Sequence, residues 1–178
     1  MHPDQRVSPS SGPGTDDLLV AVFVELPSHW STGGEELLAR RLSDDLYELQ
    51  HSPLYAYALN FLDVVRAIPC PADDRPRVRD VVRRSGHSTL RVFFYESVRL
   101  LERVALLDGL AELGVTHTSA NPRYVALDIP PATALPAVRA RLDEWERSER
   151  IQYETCEARI AGSFDDMLDP LMDQPGDE

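Results

Sequence analysis

The chain has 178 residues, a hydrophobic fraction of 43% and a formal net charge of −12 at pH 7. That length and apolar content suffice to bury a sizeable core, which excludes disorder of the whole chain. The negative charge opposes nonspecific attraction to nucleic acid or to an anionic membrane surface. All 18 basic residues are arginine, so chemistry that requires a lysine, such as a Schiff base or a P-loop, is excluded.

Both ends of the chain have the composition of mobile tails. Residues 1–17 are rich in Pro, Ser and Gly and lack the apolar core of a signal peptide, and residues 161–178 are rich in acids. In an alternative interpretation, the apolar residues after Gly162 form an acidic amphipathic segment that folds onto a partner or back onto the domain. With no membrane-spanning apolar run and no paired-cysteine motif around Cys70 or Cys156, we expect a cytoplasmic protein with reduced thiols.

Residues 18–88 have mostly strand-like patterns. LLVAVFVEL at 18–26 predicts a buried strand. EELLARRL at 35–42 is open to helix or strand, and Glu35 and Glu36 favour a helix start, whereas LYELQ and YAYALNFLDVVRAI suit strands. Prolines and aspartates predict a loop over 69–77, and VRDVV predicts a short strand over 78–82. We therefore expect an N-terminal β-rich lobe, either a small barrel or a curved sheet.

Residues 89–160 have a different pattern, in which strand-like and helix-like segments alternate. Strand 89–94 is followed by a helix that ends at Gly114, a hairpin that turns at Asn121-Pro122, a second helix capped by Thr133 and a strand from 151. The predicted apolar stripes are Leu100, Val104, Leu107 and Ala111 in the first helix and Leu135, Val138, Leu142 and Trp145 in the second. The order β-α-β-β-α-β predicts a ferredoxin-like sandwich, so the class is α+β with a second lobe at 89–160.

The segment Ser85-Gly86-His87-Ser88-Thr89 is the most distinctive stretch of the chain. His87 is a candidate catalytic acid or base with Ser85 or Ser88 as its helper, and Asp63 and Asp80 are candidates to orient the imidazole. The alternative is structural: Gly86 permits a tight turn between the lobes while the neighbouring side chains satisfy backbone groups. No nucleophile elbow surrounds either serine, so sequence alone does not choose between them.

Charge is concentrated around the same segment. Residues 75–91 contain six arginines and one aspartate, hence +5, in an otherwise acidic chain. Arginine forks, serine hydroxyls and turn N–H groups can bind phosphate or carboxylate, and the candidate ligand-binding residues are Arg83, Arg84, Ser85, Gly86, His87 and Ser88. The alternative is that these arginines pair with the chain's own acids.

Metal and cofactor chemistry is not predicted. The histidines and cysteines are scattered without ligand-like spacing, and paired carboxylates such as Asp73-Asp74 have the context of solvated turns. TLRVFFYE at 89–96 lacks the pattern of an RNA-binding sheet. We expect no cofactor, no metal, no nucleic acid and no membrane.

The segments SDDLYELQHSPLYAYALNFLDVV, VRDVVRRSGHSTLRVFF and YVALDIP resemble a bacterial family known as domain of unknown function 4265, over roughly residues 20–160. The matching positions are Tyr47, Pro53, Tyr55, Asp63, Val64, Val65 and 85–89. The chain departs from the family at His51-Ser52, at Leu62, where glycine is usual, and at Leu37-Leu38, where tryptophan is common. The resemblance implies a shared fold and a bacterial cytoplasmic setting, and it implies no activity.

The functional expectation is a non-catalytic binding or regulatory module that recognises a protein, a peptide or a small anionic ligand where Arg83, Arg84, Ser85 and His87 converge. One alternative is a small cofactor-independent enzyme of hydrolase or tailoring type that uses His87. Another is an immunity-type or accessory protein whose acidic surface neutralises a basic partner. The sequence leaves these alternatives and the oligomeric state open.

Overall fold

The fold is taken from a computed structural model that describes residues 19–27, 29, 32–71, 73–158 and 164. Nine strands and two helices follow one another along these residues: β1 Leu19–Glu25, β2 Gly34–Arg41, β3 Leu46–Leu49, β4 Val64–Cys70, β5 Asp73–Arg83, β6 Ser88–Phe94, α1 Leu100–Ala111, β7 Thr116–Asn121, β8 Tyr124–Ile129, α2 Leu135–Arg147 and β9 Ile151–Thr155. This content confirms the predicted α+β class. The predicted N-terminal tail and, apart from Phe164, the predicted C-terminal tail lie outside the described residues.

Strands β1 to β5 pair with their neighbours in chain order and close on themselves. The closure is a parallel contact of β1 with β5 at Phe23 and Arg77, whereas the other pairings are antiparallel. The side chains inside form one buried apolar cluster: Val22, Leu37, Ala39, Tyr47, Leu49, Ala56, Leu59, Val65 and Ala67. Residues 50–63, between β3 and β4, are the long connection of this half.

Strands β6 to β9 form a separate antiparallel sheet in the order β7-β8-β6-β9. Because side chains alternate across a strand, Leu90, Val92 and Phe94 of β6 face one side, where they join Leu110 of α1 and Leu142 of α2 in a second buried cluster. The opposite side carries polar and aromatic residues and is covered by residues 50–63. We call it the loop-covered face and define it by Thr89, Arg91, Tyr124, Asp128 and Glu154.

Residues 35–41 lie in β2, so the helical alternative for EELLARRL is wrong and Glu35-Glu36 do not start a helix. In β2 the buried positions are Glu35, Leu37 and Ala39, a period of two. Pairing of β2 with both β1 and β3 overrides the helix propensity of Glu, Leu, Ala and Arg.

The loop predicted over 69–77 is also wrong, because β4 runs to Cys70 and β5 starts again at Asp73. The two strands pair across a short turn, with register shifts between Val64 and Val65, between Arg66 and Ala67, and between Ile68 and Cys70. Bulges of this kind accommodate prolines within a ladder, which explains how Pro69 and Pro76 lie in strands.

The helices are present as predicted, but two details differ. In α1 the buried residue is Leu110, and Leu100 and Val104 of the predicted stripe are exposed by 60% and 46%, so the inner face lies about one position away from the one inferred. In α2, Val138, Leu142 and Trp145 are buried as predicted. Thr133 does not cap α2, because its hydroxyl donates instead to the Leu113 carbonyl.

Candidate functional site

Residues 83–88 connect β5, the last strand of the first sheet, to β6, the first strand of the second sheet. Gly86 lies at the turn of residues 83–88 with φ of +86°, a left-handed conformation that glycine adopts without strain. A Cβ at this position would lie 3.2 Å from Pro131 Cγ. The turn predicted at Gly86 therefore exists, and residues 83–88 are called the junction loop below.

Replacing Gly86 with alanine is expected to lower the free energy of unfolding by about 1–2 kcal/mol, because an L side chain is strained at positive φ. Gly33→Ala is the matched control, since Gly33 has no atom within 4 Å of the added Cβ. Urea denaturation of both variants measures the difference. Equal stability of the two variants would contradict the assignment of strain to Gly86.

Asp63 holds the junction loop in place through its buried side chain. Its side chain is fully buried and accepts hydrogen bonds from the backbone N–H of Ser85 at 2.8 Å and from Arg84 Nη1 at 3.1 Å. The same carboxylate accepts from the backbone N–H of Asn60 at 3.0 Å. One buried anion thus ties residues 50–63 to the junction loop.

His87 is held by a different aspartate from those predicted. Its Nδ1 lies 2.7 Å from Asp128 Oδ1 on the loop-covered face, and its ring meets Phe61 edge-on at 5.2 Å. Burial raises the pKa of Asp128, although its hydrogen bonds to His87 and Thr116 act in the opposite direction. The candidates Asp63 and Asp80 do not orient the imidazole, because Asp63 binds the loop backbone and Asp80 pairs with Arg66 at 3.3 Å.

The predicted serine helpers are placed less favourably for catalysis. Ser85 Oγ accepts a hydrogen bond from the backbone N–H of His87 at 3.1 Å, which is a turn contact. Among the described hydrogen bonds, the His87 ring bonds to the Asp128 carboxylate. It forms none with the hydroxyl of Ser85 or of Ser88. The enzyme alternative therefore depends on His87 and Asp128 alone and stays a prediction.

Most arginines of the basic segment pair with acids or carbonyls of the same chain. Arg75 binds Asp73 and Glu36, and Arg77 binds Asp73; Arg75 lowers the pKa of Asp73 well below its usual range. Arg84 pairs with Asp63 at 3.1 Å, and Arg83 pairs with Glu48 at the longer distance of 3.8 Å. The self-pairing alternative thus accounts for Arg75, Arg77 and Arg84, and Arg83 combines a longer pair with a side chain that is 67% exposed.

Arg91, which sequence reasoning did not single out as a site residue, lies at the centre of the loop-covered face. It is fully buried, and its Nη1 donates to the carbonyls of Leu54 and Tyr55 at 3.1 and 2.9 Å. Its Nε donates to Cys156 Sγ and lies 3.4 Å from Glu154 Oε1. A signal existed in the sequence, since Arg91 stands alone in the apolar strand TLRVFF and a buried guanidinium needs partners.

Glu35 of β2 supports residues 50–63 from the side of strands β1 to β5. Its buried carboxylate accepts hydrogen bonds from the backbone N–H groups of Leu54, Tyr55 and Ala56 at 2.6, 3.0 and 2.8 Å. Glu35 from β2 and Arg91 from β6 therefore bind adjacent backbone groups of one connection, with opposite charges. This connection joins the two halves of the protein.

Cys156 is expected to be inert in the folded protein. Burial raises the pKa of its thiol from the ordinary 9.0 to about 12, although Arg91 acts in the opposite direction. In a Cys70→Ser variant, we expect thiol labelling by a disulfide reagent at mildly alkaline pH to be roughly 1,000-fold slower in the native state than in denaturant. Because folding raises this pKa, the contribution of Cys156 to stability falls between pH 9 and about 12. Equally fast native labelling would show that the thiol is accessible and ionised.

In the described part of the chain, no group of three or more His, Cys, Asp or Glu side chains is arranged to hold a metal ion. The described residues also contain no helix of the length and apolarity that a membrane span requires.

Over the described residues, fold and site together define a mostly β, α+β protein with two largely antiparallel sheets, two helices and a polar junction between its halves. The chain belongs to the family Domain of unknown function (DUF4265), whose sequence model matches residues 35–153. It is similar in structure to a solved protein described as "Novel crystal structure of a hypothetical protein from Neisseria gonorrhoeae", with a TM-score of 0.66 and 17% identity over 78% of this chain and 94% of that chain. That likeness shows the fold alone. No curated protein matches the chain.

Proposed function

We propose that this protein is a non-catalytic binding module that recognises an anionic group, a phosphate or a carboxylate, at the junction loop. The observation that supports it best is the pair of exposed cations, Arg83 and Arg84, on a loop held by buried contacts. Arg83 and Arg84 have carboxylate partners, Glu48 at 3.8 Å and Asp63 at 3.1 Å, yet more than half of each arginine side chain stays exposed in a chain of net charge −12.

Greater exposure distinguishes Arg83 and Arg84 from Arg77 and Arg91 of the same segment. Their side chains are 67% and 55% exposed, whereas Arg77 and Arg91 are 18% and 0% exposed. The described hydrogen bonds of Arg84 engage Nη1, with the Ala58 carbonyl and Asp63. The remaining edge of that guanidinium is oriented by these bonds, and preorganised donors bind anions with less entropic cost.

The surrounding contacts support a rigid loop. Asp63 binds the Ser85 backbone, and the His87–Asp128 pair fixes the other side of Gly86. A charge-assisted hydrogen bond contributes about 1.5–3 kcal/mol, so two arginines are enough for selective but modest affinity. The ligand-binding residues proposed here remain Arg83, Arg84, Ser85, Gly86, His87 and Ser88.

The test compares binding of inorganic phosphate and of a labelled hexaglutamate peptide at low salt, which separates a free phosphate from a carboxylate-bearing peptide. Arg83→Gln/Arg84→Gln is expected to lose at least about tenfold in affinity. Arg79→Gln is the matched control, since Arg79 is an exposed arginine of β5 outside the junction loop. Equal affinity of the double variant and the control would refute the site, and melting curves establish that both are folded.

We also propose that the two halves are a barrel lobe over residues 18–88 and a ferredoxin-like lobe over residues 89–160. The strand order β7-β8-β6-β9, with both helices contributing to one apolar cluster, supports the second assignment. Separate buried clusters in the two halves support the boundary.

A further inference from the structure

Helix α1 has an exposed apolar side in addition to the side that joins the core. We call it the outer stripe and define it by Leu100, Leu101, Val104 and Ala111, which lie within about 100° of one another around the helix. The first three are exposed by 60%, 84% and 46%, and Ala111 is also exposed. The buried residue of α1, Leu110, lies on another side. A helix that contacts its own core along one side has no need of a second apolar side.

The outer stripe faces away from α2 and toward the edge of the sheet at β7. A Cβ at Gly109 would lie 3.5 Å from Arg141 of α2, and Glu102 pairs at 3.6 Å with Arg150, which follows α2. Gly109 lies about 180° from Leu100 around α1. Helix α2 packs against β9, which stands at one end of the strand order β7-β8-β6-β9. The side of α1 away from α2 is therefore the side of β7.

Strand β7 is the outer strand at this edge of the sheet. Over the described residues it pairs with β8 alone, and four of its six residues are exposed. Its sequence THTSAN contains no Asp, Glu, Lys, Arg or Pro, although such residues commonly protect an edge strand from further pairing. The ladder with β8 is regular from Thr116 to Ser119, and the register shift comes after Ser119. The edge is therefore suited to accept another strand.

We propose that the outer stripe of α1 and the edge of β7 bind a second copy of this chain. A two-fold axis perpendicular to the sheet pairs β7 of one copy with β7 of the other in antiparallel orientation, and it places the two α1 helices side by side above that pair. Such an isologous contact buries the same residues in both copies. Two four-stranded sheets then become one sheet of eight strands, and the exposed apolar residues of α1 are covered.

Charges at the two ends of α1 favour a second copy over an unrelated partner. Exposed Arg99 precedes the helix, and exposed Glu112 follows it. In an antiparallel pair of α1 helices with Leu100 opposite Ala111, Arg99 of each copy lies opposite Glu112 of the other copy. One register thus pairs both the apolar residues and the charges, and the two-fold axis forms each contact twice. The net charge of −12 on each copy acts at longer range, where physiological salt screens it beyond about 8 Å.

The experiment measures dimerisation of the full-length chain, whose monomer mass is 20.0 kDa, by sedimentation velocity. For wild type we expect a Kd in the micromolar range or below, measured over about 1–200 μM at about 0.15 M salt. Val104→Glu is expected to weaken dimerisation at least about 30-fold, because it places a charge from each copy in the apolar contact. Val82→Glu is the matched control, since Val82 of β5 is 45% exposed and lies in the other sheet. Its Kd is expected to stay within about twofold of wild type.

Charge exchange tests the register without placing a charge in the outer stripe. Arg99→Glu or Glu112→Arg alone is expected to weaken dimerisation about five- to tenfold, because like charges then lie opposite each other twice. The double exchange is expected to return Kd to within about threefold of wild type. An acid at the start of α1 and a base at its end both suit the helix macrodipole, so loss of folding does not account for weaker association. If the double exchange fails to restore dimerisation, the antiparallel register is wrong.

Three further outcomes decide the inference. A wild-type chain that remains monomeric at about 200 μM would overturn it, as would a dimer that Val104→Glu and Val82→Glu weaken equally. Hydrogen exchange at residues 116–121 is expected to slow with protein concentration in wild type and to be independent of concentration in Val104→Glu. Exchange that is independent of concentration in wild type would contradict the joining of the β7 edges. All of these results are independent of anion binding at the junction loop.

Discussion

Replacing Arg91 with methionine is expected to lower the free energy of unfolding by about 3–5 kcal/mol, because it leaves a buried network without its cation. The Tyr55 carbonyl loses the Arg91 donor, the Leu54 carbonyl keeps the Tyr124 hydroxyl but loses Arg91, and Glu154 loses a charge partner at 3.4 Å. Burial alone would lower the pKa of Arg91, but the neighbouring Cys156, Tyr124 and Glu154 raise it. The side chain is therefore permanently charged. Methionine occupies a similar volume but supplies neither the charge nor the hydrogen-bond donors.

Arg66→Met is the control for this prediction, since Arg66 pairs with Asp45 and Asp80 at the surface with 46% of its side chain exposed. We expect its cost to stay below about 1 kcal/mol. Urea denaturation at neutral pH compares the two variants, and Arg91→Lys tests whether charge without the planar fork suffices. A difference of less than about 1 kcal/mol between Arg91→Met and Arg66→Met would show that Arg91 does not hold the two halves together.

Replacing Glu35 with glutamine is expected to cost about 2–3 kcal/mol, because an amide cannot accept from three backbone N–H groups with both of its ends. The amide NH₂ would face at least one of the donors of Leu54, Tyr55 and Ala56, which now bind the carboxylate. The damage should be local, so hydrogen exchange is expected to accelerate first at the amides of 54–56.

Glu36→Gln is the matched control because it is the next residue in β2 and its carboxylate forms a surface pair with Arg75 at 52% exposure. Its expected cost is below about 1 kcal/mol. Urea denaturation gives both values. Equal costs for the two substitutions would mean that the Glu35 carboxylate contributes no more than a surface charge.

Both predictions concern residues 50–63, and this connection was the hardest part of the sequence to interpret. Its conformation depends on Glu35 and Arg91, which lie 15 or more positions away in sequence. Ala58 and Leu62 adopt φ of 60° and 62°, a region that favours glycine. Leu62 is the position where the family usually has glycine, and its positive φ is a conformation that glycine adopts without strain.

Local patterns predicted the elements whose own side chains decide their structure. The alternation of Val125, Leu127 and Ile129 gave the buried face of β8, and the spacing of Val138, Leu142 and Trp145 gave that of α2. EELLARRL was ambiguous because its composition favours a helix, whereas two neighbouring strands impose a period of two. A local sequence pattern does not indicate that a segment will pair with a strand on each side.

Candidate site residues were found where the segment is locally unusual and missed where partners are remote. Gly86 was interpretable because a turn requires its conformation, and His87 was noticed for its residue type. Its partner Asp128 lies 41 positions away, on a strand whose alternation suggests only that this residue faces away from the core. The pairing follows from β6 and β8 being neighbours with Thr89 opposite Asp128, a register that the sequence does not state.

The most direct test of the binding proposal is a nuclear magnetic resonance titration of the full-length, isotope-labelled chain with inorganic phosphate and then hexaglutamate, following backbone amides and arginine Nε–H signals. We predict that the largest shifts fall on residues 83–88 and on the Nε–H groups of Arg83 and Arg84, and that they saturate with ligand. Shifts centred on Arg75 and Arg77, or no saturable shift at all, would contradict recognition at the junction loop.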